Sequence, residues 1–206
     1  FDAVVNLAGT GMSSNSSSPE QLRANSVGAA NLALAASRLT SDLPRLIHIA
    51  SSTEKPSHAG DYESSYAESK AVGTKMFMAL TAERDLPSCV VNIHNTYGPG
   101  QPAERLVMNS ILSILNGSVP TVNFPERVRD FIFVDDVAEH LSDIVCGYSS
   151  DPDFVTLGSG VGTSLRELIS LIIEQCESSH EIEEVPLPMN PDPFHWRVAD
   201  RMDSDT

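Results

Sequence analysis

Three short, almost continuous apolar runs separated by long helical stretches constrain the fold of this 206-residue chain more than any other feature. Val4 to Ala8, Arg45-Leu46-Ile47-His48-Ile49-Ala50 and Ser88 to His94 have the pattern of strands covered on both faces in a parallel sheet. Between the first two, Gly9 to Ser18 is rich in Gly, Ser and Asn and reads as a loop. Pro19-Glu20 then opens a helix that runs to about Leu39, with proline and an acid in its first turn. A Ser-, Pro- and Gly-containing loop over Ser51 to Asp61 precedes a second helix, from about Ser64 to Arg84. Strand, helix, strand, helix, strand is the order of parallel βαβ units with right-handed crossovers. The fold class is therefore α/β, a partial doubly wound, Rossmann-like parallel sheet.

The remainder continues less regularly. A turn over Tyr97 to Pro102 leads to a helix near Glu104 to Asn116 and a strand at Phe131 to Val134. Asp135 and Asp136 start a helix reaching about Cys146, where helix N-capping explains the acidic pair better than a metal site does. A short strand follows near Phe154 to Leu157, and Ser164 with Glu167 forms a capping box for a helix to about Cys176. Gly158 to Gly162 reads as a turn, and the tail after Ser178 is acidic and proline-rich, with no assigned role for Trp196.

The balance of 13 Lys and Arg against 28 Asp and Glu, a formal charge of −15, argues against nucleic acid or an anionic membrane as main partner. Three scattered cysteines and six histidines without ligand spacing indicate neither a disulfide framework nor a metal centre, so no metal is expected. His48 reads as a packed or surface residue. No run approaches the ~20 apolar residues of a membrane span. There is no signal-peptide pattern, which gives a cytoplasmic expectation. The opening at Phe1 reads as a chain cut at a strand boundary.

Chemistry concentrates in Tyr66-Ala67-Glu68-Ser69-Lys70, where Tyr66 and Lys70 share one helix face. A tyrosine with its ordinary pKa of ~10 is a poor base, and a neighbouring ammonium stabilises the phenolate. The spacing alone is a weak signal, since amphipathic helices show it by chance. Thr53, thirteen residues earlier at the end of a strand, adds weight: strand ends are where such sheets bind ligands, and its hydroxyl can hold a substrate oxygen opposite the tyrosine.

With these blocks in this order, residues 1 to about 175 resemble the extended short-chain dehydrogenase/reductase family, which includes nucleotide-sugar epimerases, dehydratases and reductases. The resemblance implies Thr53, Tyr66 and Lys70 as the catalytic set. It also implies a dinucleotide bordered by Leu7-Ala8-Gly9, Asn25 and His94 and contacted by Tyr66 and Lys70. Asn95, in His94-Asn95-Thr96-Tyr97-Gly98-Pro99-Gly100, resembles the asparagine that touches a nucleotide-sugar. Arg129, in Arg129-Asp130-Phe131-Ile132-Phe133-Val134-Asp135-Asp136, resembles the arginine that grips substrate phosphate; Thr53 joins these two as a substrate contact. Residues 1–97 and 130–149 are then the partial dinucleotide-binding domain, and 98–129 and 150–206 an incomplete, small C-terminal substrate lobe.

The chain departs from the family in three places. It has no Gly-x-x-Gly-x-x-Gly turn to cradle a pyrophosphate, so NAD and NADP are not distinguished, and residues 1–206 alone are expected to bind either only weakly or not at all and to be marginally stable or to self-associate. The loop between Thr53 and Tyr66 is short and lacks Val-Tyr-Gly. Dehydratases of the family follow the threonine with Asp-Glu, whereas Thr53 is followed by Glu54, which could serve as one carboxyl group, and Lys55, which cannot replace the second; the preferred reading is that the two begin a solvated loop. The resulting expectation is an NAD- or NADP-dependent epimerase or reductase acting on a nucleotide-sugar through a transient keto intermediate, with a homodimer left open. The alternative is a non-catalytic module of the same fold that senses dinucleotide or joins a complex.

Overall fold

The computed structural model describes residues 2–11, 17–57, 59–147, 152–185 and 194–199. The chain divides into two compact units, Phe1–Ile93 with Ala138–Leu157, and His94–Val137 with Gly158–Thr206.

The first unit is built on four parallel strands in the order β1 (Ala3–Asn6), β2 (Arg45–Ser51), β3 (Ser88–Ile93) and β7 (Phe154–Leu157). β2 is central, and Leu46, Ile47 and His48 are buried in succession, which is why its sequence lacks a polar face. The first helical stretch comprises α1 (Ser18–Gln21), a π-helical segment (Leu22–Val27) and α2 (Gly28–Ala36). The Ser17 N–H and hydroxyl both donate to the Glu20 carboxylate, at 2.8 and 2.9 Å, at its start. Helix α3 (Ser65–Glu83) is capped by the Ser64 hydroxyl, which accepts from Ala67 N–H at 3.2 Å. It packs on the π-helical segment and on α2. A Cβ on Gly73 would lie 2.1 Å from the Asn25 carbonyl oxygen, so only glycine permits that approach. Alanines 29, 33 and 36 of α2 meet Leu46, Ala50, Phe77, Leu86 and Val90 in the core of this layer.

In the second unit β6 (Val128–Phe133) lies between β4 (Asn95–Tyr97) and β10 (Trp196–Arg197), both parallel to it, and also pairs antiparallel with β8 (Gly162–Ser164). A second parallel pair joins β5 (Thr121–Asn123) to β9 (Glu183–Val185). Helices α4 (Leu106–Leu115) and α6 (Leu165–Gln175) pack on each other, and the Ser164 hydroxyl caps α6 through Glu167 N–H at 3.1 Å. At its surface the Arg166 guanidinium pairs with the carboxylates of Glu126 and Glu184. Helix α5 (Val134–Cys146) starts within this unit.

Several elements differ from the sequence reading. β1 stops at Asn6 because the Asn6 side chain accepts from Ala8 N–H at 3.2 Å and turns the chain, leaving Leu7, Ala8 and Gly9 exposed. The helix expected to reach Leu39 ends at Ala36 and contains the π-helical segment. β6 begins three residues before the expected Phe131 and yields to α5 at Val134, so Asp135 and Asp136 stand in the first turn, where their charge complements the helix dipole, rather than at the cap. β4, β5, β8, β9 and β10 were not expected. The units also divide elsewhere: the described residues of 152–157 join the first because β7 pairs with β3, and 130–137 join the second because β6 pairs with β4, β8 and β10. Trp196 is 64% exposed and lies against Gly162. Among the described residues no helix is long and apolar enough to cross a membrane.

Candidate active site

The pairing of β1 with β2 ends at Asn6 and His48, and the candidate residues of the first unit gather where β2, still paired with β3, continues past β1 toward its C-terminal end. Beyond that point two β2 backbone groups are taken by side chains. The Lys70 ammonium donates to the Ile49 carbonyl at 2.5 Å, and the Glu54 carboxylate accepts from Ser51 N–H at 2.8 Å. Residues Ser52–Glu54 form a 3₁₀ turn directly after the strand. Within it the Thr53 and Ser51 hydroxyls are hydrogen-bonded at 2.9 Å, and Thr53 N–H donates to the Ser51 hydroxyl at 3.3 Å. Glu54 thus reaches back over the strand end, contrary to the expectation that it begins a solvated loop; Lys55, the next residue, is exposed.

Tyr66 is half-buried in the first turn of α3, and Lys70 lies buried one turn later. Burial pushes the Lys70 ammonium below the usual lysine range, and the charge of Glu54 opposes that shift. Burial likewise pushes the Glu54 carboxyl up, offset by the nearby Thr74 hydroxyl, by Lys70 and by Ser51 N–H. The Thr74 hydroxyl makes no hydrogen bond of regular geometry, so its effect is that of a nearby dipole.

Asn25 sits in the π-helical segment, 1% exposed. Its amide donates to the Thr10 carbonyl at 3.1 Å and to the Ser69 hydroxyl at 2.9 Å, and its oxygen accepts from Thr10 N–H at 2.8 Å. Ser69 in turn donates to the Tyr66 carbonyl at 2.8 Å. Expected beside the cofactor, Asn25 stands behind the Leu7-Ala8-Gly9 loop and ties it to the helix of Tyr66 and Lys70. Gly9 fits there because a Cβ would come within 2.9 Å of the Asn25 side-chain oxygen.

His48 and Asn6 were not assigned to the site by the sequence. His48 is 1% exposed and stacks on Phe77 with ring centroids 5.0 Å apart. Because the Asn6 oxygen accepts from Ala8 N–H, its amide nitrogen faces His48 Nδ1, at 3.1 Å, which makes Nδ1 the acceptor and puts the ring proton on Nε2. Burial, with the Lys70 charge adding to it, pushes the imidazole down to about 4. The neutral ring therefore buttresses the turn that starts the exposed loop. A histidine in an otherwise apolar strand was the available signal, but its partner forty-two residues away was not legible.

Three expected residues belong to the second unit. His94 is half-buried immediately before β4. The Asn95 amide donates to the Asp130 carbonyl at 3.2 Å across β4 and β6. Arg129 is buried and donates through Nη1 to the carbonyls of Val128, at 2.8 Å, and His195, at 3.2 Å. Its neighbour Asp130, fully enclosed, accepts from Ser159 N–H and hydroxyl, both at 2.7 Å, from Gly160 N–H at 2.9 Å and from Ala199 N–H at 3.1 Å. The glycine-rich turn is thus wrapped around a buried carboxylate.

Residues 1–146 match the sequence profile of the NAD dependent epimerase/dehydratase family. The chain belongs to that family. Among curated relatives, a dTDP-glucose 4,6-dehydratase of Neisseria gonorrhoeae is 37% identical over 83 residues, 40% of this chain and 24% of that protein. A dTDP-6-deoxy-L-talose 4-dehydrogenase (NAD(P)(+)) of Kitasatospora kifunensis is 26% identical over 97% of this chain and 67% of its own length. The chain thus spans only part of these relatives. Among solved structures, a UDP-glucuronic acid 4-epimerase from Bacillus cereus in complex with UDP-glucuronic acid and NAD superposes with a TM-score of 0.77 at 19% identity, over 90% of this chain and 62% of that one, which shows a common Rossmann-like fold. In the first unit the loop beyond β1 is exposed, and among the described residues the Lys70 ammonium makes one hydrogen bond and retains two donors.

Proposed function

We propose that the protein is an NAD- or NADP-dependent epimerase or reductase of nucleotide-sugars that works through a transient keto-sugar, with Tyr66 as the acid/base. The observation that carries this reading is the arrangement at the end of β2, where Lys70, one turn after Tyr66, is anchored on the Ile49 carbonyl while Ser51 fixes the Thr53 hydroxyl in the adjoining turn. The dinucleotide, when bound, supplies a hydride acceptor and donor. Tyr66 takes the proton from the sugar hydroxyl as the carbonyl forms and returns it on reduction. Lys70 holds positive charge beside the phenolate and has donors for ribose hydroxyls. Thr53 hydrogen-bonds the reacting oxygen. Leu7, Ala8, Gly9 and His94 border the dinucleotide, with Asn25 holding the loop in place. Asn95 and Arg129 bind the nucleotide part of the substrate, where a guanidinium makes charge-assisted bonds to phosphate.

Epimerisation or reduction is favoured over dehydration because elimination of water needs a second acid and base. Glu54, the carboxylate next to Thr53, is engaged with Ser51 N–H, and an ammonium at Lys55 does not act as a carboxylate base. In the full-length protein, Tyr66→Phe is expected to lower turnover by roughly 100-fold or more with little change in stability. Near-normal turnover by this variant removes the assignment. Product masses settle the reaction: unchanged mass with inverted stereochemistry indicates an epimerase, a gain of two hydrogens a reductase, and loss of water overturns both.

A further inference from the structure

Between Ile49 and Glu54 one short segment anchors both Thr53 and Lys70, the proposed partners of Tyr66, and Glu54 ends that segment. Its carboxylate bonds Ser51 N–H, three residues back, and so closes the 3₁₀ turn in which Thr53 sits. The Ser51 side chain in the same turn holds the Thr53 hydroxyl. Two residues before Ser51, the Ile49 carbonyl holds the Lys70 ammonium. The other titratable groups around Lys70 are His48 of β2, which is neutral above about pH 4, and Tyr66 on its own helix. The π-helical segment packed on α3 presents uncharged Asn25 and Ser26 at its buried face, with Arg23 exposed. Among the described residues, Glu54 is the acidic side chain that bears on this buried ammonium.

We propose that Glu54 is a positioning residue that serves Thr53 and Lys70 together: its carboxylate closes the turn that aims the Thr53 hydroxyl and sets an acidic group at the strand end on which the Lys70 ammonium is anchored. This rests on the proposed roles of Thr53, Tyr66 and Lys70. It differs from an acid/base role in elimination, since the carboxylate is directed at the backbone and exchanges no proton with substrate.

Glu54→Gln and Glu54→Ala separate the two effects in the full-length protein. Glutamine keeps an oxygen for Ser51 N–H and removes the charge; alanine removes both. Titration of Lys70 followed by ¹³C NMR at its Cε needs no substrate, and both variants are expected to lower its midpoint. In turnover, the alkaline limb of Glu54→Gln should move to lower pH. Glu54→Ala should lose roughly ten-fold in kcat, the scale of one weakened hydrogen bond in the transition state, with KM little changed. An unmoved Lys70 midpoint in Glu54→Gln overturns the proposal, as does a wild-type kcat in Glu54→Ala beside a Tyr66→Phe variant that has lost activity. A full-length protein that turns over no nucleotide-sugar removes the proposed function, and the Lys70 midpoint still decides the part played by Glu54.

Discussion

Two buried charges, one in each compact unit, are held in opposite ways. Asp130 in β6 is enclosed with four N–H or O–H donors from two other segments directed at its carboxylate, so its hydrogen-bonding capacity is filled by the protein itself. Lys70 in α3 is also buried, but among the described residues its ammonium makes a single hydrogen bond, to the Ile49 carbonyl, and the charge of Glu54 opposes the effect of its desolvation. A saturated charge acts as a fastener; an under-satisfied one is costly to the fold and retains donors for something else. The Asp130 arrangement joins β6, the turn after β7 and the end of β10, whereas the Lys70 arrangement leaves its strength directed toward the end of β2, where open α/β sheets bind ligands.

The widest separation between the two is expected from Asp130→Ala, which strands its donors in the interior and should cost about 3 kcal/mol or more in a denaturant titration. A loss under about 1 kcal/mol would break the contrast. The second test uses the neighbour of Lys70. His48 is held neutral in the folded protein, with its titration pushed from an ordinary 6.5 to about 4, while in the unfolded chain it gains a proton near the ordinary value. Its contribution is therefore complete above about pH 6.5 and is lost as pH falls, amounting to about 2 kcal/mol at pH 5 and levelling off below about pH 4. Protonation at Nδ1 would also set two donors face to face at Asn6 and release the Ala8 turn. A His48→Gln variant whose stability falls with acid as steeply as the wild type would show that this histidine is not responsible. The smallest change is expected from Lys70→Met, which removes an under-satisfied charge and keeps the packed stem. It should move the unfolding free energy by less than about 1 kcal/mol while turnover is lost. A large destabilisation would place Lys70 with Asp130 among the fasteners.

The strands of the first unit were legible because β2 and β3 bury both faces and so carry long apolar runs. The long helices were legible from Pro19-Glu20 and from Ser64. The short strands of the second unit were not, because two or three residues such as Trp196-Arg197 or Glu183-Glu184-Val185 carry no periodicity and are defined only by their partners. The interruption at Leu22–Val27 was equally hidden: it accompanies the close approach of Gly73 to the Asn25 backbone, a contact forty-eight residues away in the chain. At the candidate site the sequence pointed to Thr53, Tyr66 and Lys70 through spacing, and to the loop at Gly9 through resemblance. It misread Glu54 as solvated, and left His48 and Asn6 without a task.

By itself, then, the sequence determined the parallel α/β order of the first unit and the shared helix face of Tyr66 and Lys70, since both follow from local periodicity and burial pattern. Tertiary structure alone decided which polar groups are finished and which retain capacity. Asp130 is filled by amides from residues 159, 160 and 199, and Lys70 is placed on a carbonyl twenty-one residues away. Hydrogen-bond saturation is a property of distant groups brought within 3 Å or so of one another, and no local pattern of residue types encodes it.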